Sequence, residues 1–118
     1  MKKNLTILSV TLLCMTGKAA LAECAYPKAP DGVASVSTAT QADMITAMSA
    51  FKQYNTDVDA YVACLDAETA DKIKEAGAAG AIMQIKAMQA KKKSAATDER
   101  QAKIDAFNKT VREFKAKG

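Results

Sequence analysis

The hydrophobic positions of this chain divide it into two long helical stretches behind a short, irregular arm. From about Thr38 the apolar residues recur in sevens, at Met44, Phe51, Val58 and Leu65. Ala47, Tyr54 and Tyr61 fill the positions three further on, and Met48 and Val62 flank them. That stripe predicts a helix over about 39–75, roughly 55 Å long. Thr38 or Thr40 is its N-cap, and Asp43 in or near the first turn suits the helix dipole. The sequence AGAAGA, residues 76–81, is the one internal break, where Gly77 and Gly80 can supply a C-cap and a tight turn.

A second stripe, Ile104, Phe107, Val111 and Phe114, predicts a helix over about 81–116. Continued backwards at the same spacing, its face meets Gln101, Thr97, Ser94, Ala90, Ala87 and Met83, and so thins to small and polar residues. The weak point is KKKSAATDER, where Ser94 or Thr97 can cap a fresh helix. Ile82, Ile85 and Met88 fall off this face. They form a candidate interaction patch near the hairpin tip, for a dimer contact or a client, unless a local register shift buries them. The fold expected is all-α: an antiparallel two-helix hairpin over residues 38–118.

Residues 23–37 carry Pro27, Pro30 and Gly32 and few large apolar side chains, which predicts an extended, polyproline-like arm with a turn at Pro30-Asp31-Gly32. Before it, Lys2 and Lys3 precede an apolar run over 5–15, and Ala20-Leu21-Ala22 has the small-residue cleavage pattern. Residues 1–22 therefore read as a bacterial signal peptide cleaved after Ala22. The apolar run is short of the roughly 20 residues of a spanning helix, so no stable membrane anchor is expected after cleavage. Periplasmic or secreted location follows.

Cleavage changes the charge. The whole chain carries +4, and Lys2, Lys3 and Lys18 leave with the leader, so the mature 96 residues carry +1. The basic character is no argument for nucleic-acid binding. What remains is segregated. Residues 23–71 hold eight acids against Lys28 and Lys52, and residues 72–118 hold twelve bases against five acids. An acidic helix folded onto a basic one has complementary fields, although each exposed pair contributes only about 0–1 kcal/mol.

Cys24 and Cys64 remain after cleavage. Glu23 ahead of Cys24 argues against lipidation, which needs a small residue there. An even pair in an oxidising compartment reads as a disulfide. The reach permits it: the helix from residue 39 to Cys64 spans ~37 Å, and the arm from Cys24 to residue 39 extends ~46 Å in polyproline geometry. The arm can run back along the helix as a strap, with Tyr26 as a packing residue, and so reinforce a thin core.

Chemistry has little to build on. The chain has no His, no Gly-rich phosphate loop and no C-x-x-C pair, so no enzyme, metal or cofactor is expected. Asp66, Glu68 and Asp71 read as a solvated acidic face, and Tyr54 and Tyr61 as core. Lys91, Lys92 and Lys93 read as solvated, or as partners of Asp59, Asp66 and Glu68 across the hairpin.

Pro30-Asp31-Gly32, the Y-x-x-C-L motif at Tyr61 to Leu65 and the F-N-x-x-x-R motif at Phe107 to Arg112 together resemble a group of small, uncharacterised exported proteobacterial proteins. The resemblance implies export and a helical hairpin and brings no activity. The function expected is that of an exported, non-enzymatic envelope protein with a structural or protein-binding role, involving a protein partner or weak self-association. The alternative is a periplasmic chaperone-like hairpin that holds unfolded clients.

Overall fold

The structure, a computed structural model, describes residues 23–118. The expected leader and Cys14 lie outside the described residues. Two helices, α1 (Gln41–Ala76) and α2 (Ala79–Lys117), form an antiparallel hairpin, and residues 23–40 form the arm.

Of the two candidate caps, Thr40 takes the role. Its hydroxyl accepts from the Asp43 amide at 3.2 Å, and the Asp43 carboxylate accepts from the Thr40 amide at 2.8 Å, which completes a capping box. The Thr40 backbone amide, then its hydroxyl, hold the Asp43 carboxyl below the usual carboxylate range. Thr38 lies in the preceding turn. Gly77 closes α1 with φ of 64°, a left-handed conformation that costs any residue with a Cβ. Gly80 lies inside the first turn of α2 and takes no part in the break.

Helix α2 is continuous through residues 91–97. Thr97 does not cap a new helix: its hydroxyl donates back to the Lys93 carbonyl at 2.9 Å, the usual way a threonine is accommodated mid-helix. The lysines and alanines around it are good helix formers, which removes any reason to break.

All seven heptad positions of α1 from Met44 to Leu65 are buried. Phe51 stacks on Phe107 with ring centroids 4.4 Å apart, and this pair joins the helices near the open end of the hairpin. Ala96 packs flush against α1, and Ile104, Val111 and Phe114 pack against the core from the α2 side.

The inward face of α2 departs from the expected continuation. Gln101, Ser94, Ala90, Ala87 and Met83 are exposed, whereas Gln89 and Ala96 are buried and Ile82 and Ile85 half-buried. The cause is helical periodicity. Extrapolation in heptads assumes 3.5 residues per turn, and a straight helix drifts by ~20° per heptad from that repeat. Over the four to five heptads from Phe114 back to Ile82 the drift reaches roughly 90°, about one residue position. The seam that begins at Phe114 therefore meets Phe107, Ala96, Gln89, Ile85 and Ile82.

Candidate interaction surface

The two faces of the hairpin differ because the arm crosses only one. Cys24 is bonded to Cys64, with Cα atoms 5.8 Å apart, so the arm runs back along α1 as the reach argument requires. Tyr26 packs edge-on against Tyr61 at 5.3 Å between centroids, and its hydroxyl donates to Glu99 of α2 at 2.6 Å. That bond, with burial and the Glu99 charge adding to it, pushes the Tyr26 phenol from 10.0 up to about 12. The strap thus touches both helices. Ala29 and Val33 pack on the core, and Gly32, at φ of 76°, passes the Phe51 ring.

At the Cys24 end of the strap lies a polar cluster. Glu68 pairs with Lys72 and places Oε2 3.6 Å from Cys24 Sγ. Lys72 holds the Glu68 carboxyl below its usual range, against a smaller opposing effect of burial, and the Gln89 amide adds to the lowering. Gln89 is 3% exposed. Its Nε2 points to the Leu65 carbonyl at a long 3.5 Å, and its Oε1 has no partner among the described residues. A buried glutamine with an unpaired Oε1 makes this the least well satisfied level of the seam.

The opposite face is open. Lys103, Ala106 and Thr110 flank Phe107 on the strap side, whereas Ile104, Asn108 and Val111 flank it on the other. There Met48, Ile104 and Val111 line a groove of about 280 Å³ whose floor is the Phe51–Phe107 stack. Lys52, Asn55 and Asn108 form its polar rim. Met48 is 44% exposed, and Ile45, one turn earlier on α1, is 59% exposed. Towards the tip the same face carries two ion pairs between the helices: Asp59 with Arg100 at 2.6 Å, and Asp66 with Lys93.

The residues singled out in sequence are therefore scattered. Cys24 and Cys64 are joined. Ile82 and Ile85 are half-buried on the inward side of α2, and Met88 is 58% exposed beside them. Tyr54 and Tyr61 are core, and burial raises the Tyr54 phenol. Asp66 and Glu68 hold lysines rather than a common ion. Among the described residues no group of three His, Cys, Asp or Glu side chains is placed to hold a metal, and no helix is long and apolar enough to cross a membrane. The open-face groove was missed because Met48 appears in sequence only as a flank of the heptad stripe. Its exposure depends on which side the arm takes. No family model, curated protein or solved structure matches this chain.

Proposed function

We propose that this chain works after export as a non-enzymatic protein of the bacterial envelope, with a structural or protein-binding role. The observation that carries the reading is the asymmetry of the hairpin. One face is closed by a covalently fixed strap, and the other keeps an apolar groove over the Phe51–Phe107 stack. A groove between two helices accepts an apolar helix face. The disulfide suits an oxidising compartment, and the leader-like residues 1–22 agree with it. The likeness to small exported proteobacterial proteins points the same way.

Intact mass and N-terminal sequencing of the protein recovered from the periplasm test the reading. The expected result is a chain beginning at Glu23, with both thiols oxidised. A diacylglyceryl group on Cys24, or retention of the chain in the cytoplasm with free thiols, overturns it. A chaperone-like role is the second reading. Met48, Met83 and Met88 favour it, since exposed, flexible thioethers adapt to varied apolar clients. Suppression of heat-induced aggregation of citrate synthase distinguishes a client-holding hairpin from a purely structural one.

A further inference from the structure

The open face also indicates what covers it. Its two ion pairs have the same polarity: α1 supplies both acids, Asp59 and Asp66, and α2 both bases, Arg100 and Lys93. A second hairpin can lie face to face on this surface about a two-fold axis, in two ways. If the axis runs along the helices, α1 of each copy lies over α2 of the other. Asp59 and Asp66 then meet the second copy's Arg100 and Lys93, and the grooves at the open ends coincide. If the axis runs across the helices, α1 lies over α1, and the acidic helices oppose each other.

We infer that the open face is a self-association surface, on which a second copy of this chain packs with α1 over α2 to close an antiparallel four-helix bundle. This rests on the protein-binding reading above and names the partner. In this arrangement each helix has neighbours of opposite net charge, since Gln41–Ala76 is acidic and Ala79–Lys117 basic. Met48, exposed in the single hairpin, becomes buried against the groove residues of the second copy. The straps lie on the outer faces, where they do not interfere. The interface is isologous, as a closed dimer requires.

Sedimentation equilibrium of the protein over a range of concentrations is the first test, and a reversible dimer is expected. Met48→Glu removes an apolar contact and buries a charge, and raises the dissociation constant by at least about tenfold. Met48 is exposed in the hairpin, so circular dichroism, and melting at dilutions where both chains are monomeric, serve as the folding control.

The second test fixes the arrangement. Asp59→Arg combined with Arg100→Asp keeps the pair within each hairpin and reverses its polarity. The double variant forms dimers with itself. Mixed with wild type it forms fewer mixed dimers than random pairing gives, because like charges then meet across the interface. Fluorescence energy transfer between labelled chains reads this directly. Mixed dimers in excess of both pure ones mean α1 over α1 and overturn the arrangement. A dimer that Ile85→Asp dissociates and Met48→Glu does not places the contact at the tip and overturns the proposal. A chain that stays monomeric also overturns it. In that case, if Met48→Glu abolishes holding of heat-unfolded citrate synthase, the protein-binding reading survives with a different occupant. If holding is unaffected, both fail.

Discussion

The Lys117 ammonium donates to the Ala39 carbonyl at 2.8 Å, which ties the last turn of α2 to the residue just before the α1 cap, 78 positions earlier. The same nitrogen reaches the Val36 and Ser37 carbonyls at 2.9 and 3.4 Å, and lies 4.9 Å from the Phe114 ring centroid. Three carbonyls of an irregular turn would otherwise rely on water. The clamp holds the arm where it enters α1, at the end of the hairpin farthest from the disulfide.

Lys117→Met keeps an unbranched apolar stem and removes the donor. The turn is largely exposed, so water replaces part of the loss, and a cost of about 0.5–1 kcal/mol is expected. The effect should be local. Amide exchange at Ala39 and Met44, whose N–H groups bond to Ser35 and Thr40, should accelerate while exchange around Val58 stays unchanged. Unchanged protection at Ala39 excludes the clamp.

The disulfide closes a loop across a sequence separation of 40. In the chain-entropy description such a crosslink contributes about 4 kcal/mol by restricting the unfolded chain. Replacing both Cys24 and Cys64 by Ser should lower the denaturant midpoint accordingly. The strap should also loosen, and the Tyr26–Glu99 bond with it, while the helical content persists. A loss well under 1 kcal/mol shows that the strap stays docked through Tyr26, Ala29 and Val33 alone.

These features were unequally legible in the sequence. The heptad stripe of α1 announced itself because every position from Met44 to Leu65 faces one way and all are apolar or aromatic. The strap followed from the pair of cysteines left after the expected cleavage and from lengths, since fifteen extended residues outreach twenty-five helical ones. The middle of α2 was hidden for two reasons: its seam uses Ala96 and Gln89, which carry no hydrophobic signal, and its periodicity is that of a straight helix. The polar partners between the helices were legible only as a trend. The opposed charges of the halves foretold pairing, and Lys93 does hold Asp66. Asp59 pairs with Arg100 instead, and Glu68 with Lys72 on its own helix. Pair identity depends on axial level, which short-range spacing does not encode.

The Tyr26–Glu99 bond gives the strap a dependence on high pH. The folded phenol is raised to about 12 from 10.0, so the fold favours its neutral form. The stabilisation is complete below pH 10 and is lost as pH rises towards 12. Tyr26→Phe should cost about 0.5–1 kcal/mol at pH 7, modestly because the site is half exposed. The difference in stability between wild type and variant should shrink above pH 10. Comparing the two cancels the titration of the lysines, which they share. A difference that stays constant up to pH 12 means that the hydroxyl does not donate to Glu99 in solution.

The tip of the hairpin tests the straight-helix seam. Ile85 and Met88 lie three residues apart on α2, yet the seam separates them: Ile85 is half-buried, and Met88 is 58% exposed. If the inward face kept a strict heptad from Phe114, both would lie off the seam and tolerate a charge equally. If it follows a period near 3.6, Ile85 stands in line with Gln89 and Ala96, and a carboxylate there must be desolvated or must push the helices apart. Ile85→Asp should then cost about 1–3 kcal/mol. Met88→Asp should stay within about 0.5 kcal/mol, the range for surface changes away from special features. Urea denaturation of the two variants, with helicity as the readout, compares them at one helix end and with the same new side chain, so propensity and dipole effects nearly cancel. The larger loss at Ile85 establishes that the contact between α1 and α2 continues to the tip. Equal and small losses mean that the packed seam ends near Gln89, with Ile82 and Ile85 left to the surface.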